Sequence, residues 1–74
     1  MRTDYTVYYF GLNDWHDVYD YYNLDVRGIV NIIKKKADEL GATAFIIHTK
    51  EDDQPLCLYK KRCGKWDREW GIQA

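Results

Sequence analysis

The sequence predicts an α+β fold: one strand, one or two helices, then a three-strand antiparallel meander, with the helices packed on one face of a mainly antiparallel four-stranded sheet. Three observations predict it. An aromatic and β-branched run opens the chain at Tyr5–Phe10, three- and four-residue apolar spacing runs from Asp14 to Leu40, and two short apolar runs at 43–48 and 56–62 flank a polar segment.

Tyr5-Thr-Val-Tyr-Tyr-Phe10 suits a half-buried pleated surface, so it reads as the first strand, and Gly11, Asn13 and Asp14 supply turn chemistry after it. Trp15, Val18, Tyr19 and Tyr22 then fall at i, i+3, i+4 and i+7, which lays them along one face of a short helix capped by Asn13 or Asp14. Asp25 reads as a second cap, because Val26, Ile29, Val30, Ile33, Ala37 and Leu40 continue at helical intervals and leave Lys34, Lys35, Lys36 and Asp38 mostly on the wet side. Gly28 inside that pattern costs about 1 kcal/mol relative to alanine, which predicts a first turn that is loose or packed against another backbone. Gly41 stands where a helix stops.

Thr43-Ala-Phe-Ile-Ile-His48 is apolar on both faces, as expected of a central strand covered by helix on one side. Glu51-Asp-Asp-Gln-Pro55 reads as a hairpin loop, Leu56–Arg62 as the third strand, and Cys63-Gly64 as a tight turn into Trp66–Ile72. In that register Lys60 faces Asp67. Trp66 and Trp70 are equally spaced for one side of a helix, so strand and helix both remain open for the tail.

At 74 residues and 46% hydrophobic content, the chain closes one modest core, a single domain over 1–74. A formal net charge of −1 gives the whole molecule no electrostatic preference for polyanions. The charge is nevertheless uneven: residues 1–25 carry five aspartates against Arg2, a net −4, and residues 26–74 carry ten bases against seven acids, a net +3. No secretory signal is recognised at Met1, and no segment approaches the roughly 20 apolar residues that cross a bilayer, so the expected address is the cytoplasm. Cys57 and Cys63 on one extended strand stand about 20 Å apart at about 3.3 Å per residue, too far for a disulfide, unless a bend near Gly64 brings them together.

Catalysis needs a nucleophile or metal oriented by a base, or paired carboxylates around a cleft, and no such set is visible. The chain has no serine, and its two histidines, His16 and His48, fall in different elements. Together with Cys57 and Cys63 they offer four zinc-type donors, but five residues separate the cysteines where structural sites place two to four. The expectation is therefore a non-enzyme with neither metal nor cofactor.

Asp14, Asp17 and Asp20, three residues apart and interleaved with Trp15, Tyr19, Tyr21 and Tyr22, are the most unusual stretch. On a helix they form an acidic, aromatic surface for a protein partner with a basic face, since tyrosine and tryptophan give contact area at low entropic cost and carboxylates select cations. Such a surface suits a module that modulates or inhibits its partner, for instance a phage or mobile-element inhibitor docked on the cationic groove of a host nucleic-acid enzyme. The plainer reading is an amphipathic helix whose aromatics are core and whose acids are solvated. A competing reading is single-stranded RNA binding, with bases stacked on Tyr8 and Phe10 and phosphates held by Lys60, Lys61, Arg62 and Lys65. Those lysines have a simpler use, discouraging strand addition if Leu56–Arg62 is a sheet edge.

Lys35-Lys-Ala-Asp-Glu-Leu-Gly-Ala42, followed by Thr43–Thr49, a polar loop and Leu56-Cys-Leu-Tyr-Lys60, resembles the YdgH/BhsA/McbA-like small enterobacterial stress proteins. The resemblance covers residues 35–60 and implies a helix-on-sheet fold and a non-enzymatic stress or surface role, with no active-site residues to carry over. Members of that family are exported. The acidic aromatic stretch and the Trp66–Trp70 tail depart from its pattern.

Overall fold

Strand formers dominate the first quarter of the chain further than their spacing suggests. A computed structural model describes residues 2–71, in which β1 (Arg2–Phe10) turns directly into β2 (His16–Asp25), followed by α1 (Val26–Leu40), β3 (Ala44–Thr49), β4 (Pro55–Arg62) and β5 (Lys65–Gly71). The strands form one sheet in the order β2-β1-β3-β4-β5, antiparallel at every junction. This corrects the expected four-stranded sheet with one or two helices: among the described residues there are five strands and one helix, and the stretch from Asp14 to Tyr22 is not helical.

The cause is local. Val18, Tyr19, Tyr21 and Tyr22 all favour a pleated surface, and Asn13 and Asp14 adopt the left-handed region at φ 60° and 61°, where their short polar side chains are tolerated. The chain therefore reverses within residues 11–15, held by Gly11 N–H to Trp15 O at 2.9 Å, and β2 takes up the outer hydrogen bonds of β1.

α1 starts where Asp25 accepts from the Arg27 N–H at 2.9 Å and stops at Gly41 (φ 74°), with the Ala42 N–H returning to Ala37 O at 2.9 Å. Gly28 sits within α1 with open space where a Cβ would stand, so of the two alternatives the sequence offered, packing against another backbone is not the one found. Among the described residues no helix is long and apolar enough to cross a membrane. The hairpin β4–β5 closes through Cys63 (φ 52°) and Gly64 (φ 77°), two consecutive left-handed residues that match the sheet's twist. Its register sets Lys60 against Asp67, and the tail is strand as far as Gly71; Ile72 lies outside the described residues. β4 is an interior strand. The edges are β2 and β5, so the lysines of β4 do not guard an edge in the way the sequence suggested.

α1 covers one face. Ile29, Val30, Ile33 and Ala37 pack on Tyr5, Val7, Tyr9, Phe45, Ile47, Cys57 and Tyr59, every one of them buried. Phe45 is the hub, stacked on Tyr59 with ring centroids at 5.1 Å and tilted against Trp66 at 5.1 Å and Tyr9 at 6.2 Å. Each fully buried large apolar side chain contributes about 1.5–3 kcal/mol relative to exposure. Lys34 and Lys36 reach from the helix over Tyr59 and Tyr19, at 5.1 and 5.0 Å from the ring centres, extending the apolar cover with their stems.

Candidate functional site: the uncovered face of the sheet

Side chains alternate along a strand, so filling one face of the sheet fixes what the other presents. Residues paired across antiparallel neighbours share a face. Following the pairs outward from β3, Ile46 stands opposite Tyr8 and Leu58, Tyr8 opposite Val18, and Leu58 opposite Trp70. Val18–Tyr8–Ile46–Leu58–Trp70 is thus a continuous apolar row crossing all five strands on the face that α1 leaves open. Four interstrand steps of about 4.8 Å make it about 19 Å long. Val18 is 47% exposed and Trp70 44%, whereas the side chains beneath the helix are 5% exposed or less. Phe10, 37% exposed, begins the widening of the row on one side, where His16, Phe10, Ala44, Lys60 and Asp67 form the next rank.

The other side of the row is polar and internally satisfied. Asp20 accepts from Thr6 Oγ1 at 2.9 Å and Tyr22 OH at 3.4 Å, and it pairs with Lys50 Nζ at 3.2 Å. The Thr6 hydrogen bond, then Lys50, hold its carboxyl below the ordinary carboxylate range, and Asp20 in turn raises the Lys50 ammonium. The Lys50 ammonium lies 5.7 Å from the Tyr22 ring centre. His48 meets Tyr8 edge to face at 4.8 Å, and its Nδ1 lies 3.2 Å from Asp53 Oδ1.

β2 divides the residues expected to form an acidic aromatic surface. Asp14 is exposed in the turn, and Trp15 lays its indole on Gly11, where a Cβ would come within 2.8 Å of the ring. Asp17 stands opposite Tyr9 on the helix side, with its carboxylate accepting from the neighbouring Val18 N–H at 2.9 Å. Tyr19 and Tyr21 share that side: Tyr19 packs edge-on against Tyr9 at 5.7 Å, and the Tyr21 and Tyr9 hydroxyls hydrogen bond at 2.6 Å. Only Asp20 and Tyr22 reach the open face. The three carboxylates therefore form no single row. Tyr19 and Tyr21 instead line a shallow groove of about 420 Å³ with Ile32, Lys35, Lys36 and Glu39, where the nearest charges are mostly cationic.

The residues expected to touch nucleic acid separate too. Tyr8, Phe10 and Lys60 are brought together on the open face. Lys61 points to the helix side, where its Nζ is 2.7 Å from Asp38 and 5.5 Å from the Trp66 ring centre. Arg62 pairs with Glu69, and Lys65 faces Arg62 at the hairpin end. Sequence reasoning missed Val18, Ile46, Leu58 and Trp70. The signal was available in residues 43–48: a strand apolar on both faces, in a domain with helix on only one side, must leave one apolar face uncovered.

The chemistry of the remaining groups is quiet. Burial pushes the Cys57 thiol up to about 11 and raises the Tyr9 hydroxyl well above its ordinary value, so neither is an activated nucleophile at neutral pH. Cys57 and Cys63 are both free thiols, the first buried and the second exposed. Among the described residues, no three histidine, cysteine, aspartate or glutamate side chains gather in the manner of a metal site. No protein-family model, curated protein or solved structure matches the chain.

Proposed function

We propose that this chain is a non-enzymatic binding module that docks a protein on the uncovered face of its sheet and acts by occupying that partner. The observation that carries the reading is the unbroken row Val18–Tyr8–Ile46–Leu58–Trp70. A small domain has little apolar material to spare, and it places five such residues side by side where its own helix does not reach. The row mixes aromatic with aliphatic side chains inside a polar rim, the composition of a protein interface core. Ile46, Leu58 and Val18 offer a base nothing to stack on, which favours a protein over a nucleic acid.

The test is capture of a partner from lysate by three baits: the unaltered chain, Leu58→Lys, and the double variant Asp14→Lys with Asp17→Lys, two carboxylates that stand away from the open face. Capture lost with Leu58→Lys and kept by the double variant is the expected result. The opposite pattern would return the contact to the carboxylates and sink the proposal. A gel shift with single-stranded oligonucleotides tests the remaining reading, which Tyr8, Phe10 and Lys60 on one face favour. Binding that falls steeply with salt and with Lys60→Gln would assign the face to nucleic acid instead.

A further inference from the structure

β2 is an edge strand whose outer side carries free backbone groups. The Gly11 N–H donates to Trp15 O at 2.9 Å, one step beyond the pairing of Phe10 with His16, and hydrogen-bonded positions alternate along an antiparallel ladder. Asp17, Tyr19 and Tyr21 therefore turn their backbone groups to β1, whereas His16, Val18 and Asp20 turn theirs outward from the sheet. The other side of β1 agrees: the Lys50 N–H donates to Asp4 O at 3.0 Å, which assigns the even-numbered residues of β1 to β3. The outward Val18 N–H already holds an Asp17 carboxylate oxygen at 2.9 Å, in the place that the carbonyl of an added strand would take. β5, at the opposite edge, is guarded by Lys65, Asp67, Arg68 and Glu69 within seven residues, but β2 has no lysine, arginine or proline in ten.

A groove runs beside that edge. α1 approaches the sheet most closely at β1 and β2, and it runs back from its cap at Asp25 toward Tyr19, whose ring centre lies 5.0 Å from Lys36 Nζ. Ile32, Lys35, Lys36 and Glu39 fall at i, i+3, i+4 and i+7 and form one stripe, about 10.5 Å long at about 1.5 Å per residue. With Tyr19 and Tyr21 they enclose the groove of about 420 Å³, within the usual size of ligand clefts. A strand added to β2 stands about 4.8 Å farther out, and its helix-side residues recur about every 6.6 Å. Two of its side chains therefore enter the groove.

We propose that β2 takes up an extended, acidic and aliphatic peptide segment of another protein as a sixth strand. The groove states the chemistry it accepts. At one end Tyr21 lies by Ile32, which is 45% exposed, and this half suits an aliphatic side chain. At Tyr19 stand Lys35 and Lys36, neither of them in an ion pair among the described residues, and this half suits a carboxylate. Added antiparallel, as every other junction of the sheet is, the segment reads aliphatic, any residue, acidic: the first against Tyr21 and the last against Tyr19. Main-chain hydrogen bonds to Val18 and Asp20 supply affinity, and the two side chains supply selectivity. This contact lies at the rim and helix side of β2, so it goes beyond the open face and does not depend on it.

The probe is a synthetic peptide with blocked ends, Thr-Val-Thr-Glu-Thr-Thr-Thr, titrated into isotope-labelled chain and followed by NMR. Saturable shifts of the His16, Val18 and Asp20 amides with a Kd below about 1 mM are expected. N-methylation of the peptide's third and fifth residues, which face Asp20 and Val18, should abolish binding. N-methylation of its valine and glutamate, whose N–H groups point away, should leave the Kd within about twofold. Lys35→Glu with Lys36→Glu should weaken binding about tenfold or more, and a peptide with lysine in place of its glutamate should restore it. Restoration also shows that the altered chain is folded. Absence of saturation at millimolar peptide overturns the proposal, as does equal tolerance of both N-methylated peptides, which would describe a groove ligand and not a strand. Indifference to the charge exchange overturns the acidic partner. Leu58→Lys should bind the peptide unchanged, so failure of the open face and failure of this edge are read separately; a Leu58→Lys chain that loses the peptide would overturn the edge as its site.

Discussion

Trp66 and Asp38 meet across the junction between the β4–β5 hairpin and the helix: the indole Nε1 donates to Asp38 Oδ1 at 3.0 Å, and Lys61 Nζ reaches the same oxygen at 2.7 Å. One carboxylate thereby fastens the outer hairpin to the last turns of α1. The pairing with Lys61, then the Trp66 hydrogen bond, hold the Asp38 carboxyl below its ordinary range. A depressed carboxylate stabilises the folded state above its unfolded value and ceases to do so as pH falls through the folded one. Asp38→Asn is therefore expected to melt at a lower temperature than the unaltered chain at pH 7, with the gap closing below about pH 4. Thermal melts from pH 7 to pH 2.5 check this, and a gap that persists undiminished at the acid end would refute it.

Gly28→Ala should stabilise the domain by about 0.5–1 kcal/mol, since the position is helical and nothing lies within 4 Å of the added methyl. Urea titration reads the change as a higher midpoint with an unchanged slope.

Cys63 occupies the first central position of a two-residue turn at φ 52°, a conformation that asparagine and glycine enter more readily. Cys63→Asn is expected to raise stability by a few tenths of a kcal/mol. In the native unaltered chain at pH 8, a thiol reagent should modify Cys63 quickly and Cys57 only on unfolding, because Cys57 is buried and its thiol is held near 11. Two thiols reacting at one rate would contradict the burial of Cys57.

Phe45→Ala removes the ring around which Tyr9, Tyr59 and Trp66 are arranged. Such a truncation costs about 3–5 kcal/mol. A chain of 74 residues has about 4 to 11 kcal/mol in all, at 0.05–0.15 per residue. The variant should be largely unfolded at 37 °C by far-ultraviolet circular dichroism, whereas Phe45→Leu should fold with a lowered midpoint.

Residues 25–64 were legible because their signals do not compete, whereas the tail carried two periods through Trp66 and Trp70. Asp25 and Gly41 bracket one helical period, and Cys63-Gly64 admits one turn, which also set Lys60 against Asp67. Residues 15–22 carried two periods at once. Trp15, Val18, Tyr19 and Tyr22 fit a helical stripe, but Val18, Asp20 and Tyr22 alternate with Asp17, Tyr19 and Tyr21 as a strand does. Propensity decided between them, together with an unpaired strand beside it: five aromatic or β-branched residues in eight favour the pleat, and β1 required a partner for its outer edge. The candidate site was lost with that element, because spacing read as helix gathers three aspartates on one side that a strand sends to different places.

The two hairpins, β1–β2 and β4–β5, are local in sequence, and β3 joins them through its ladder with β1, six residue pairs from Tyr5 with Thr49 to Phe10 with Ala44. That ladder lies beneath the helix at the middle of the sheet, so its amides should release deuterium only when the whole chain opens, while the outermost strands fray beforehand. The result is a keel with compliant margins: Tyr8 and Ile46 keep a fixed shape for whatever arrives, and Val18 and Trp70, at the yielding borders, adjust around it.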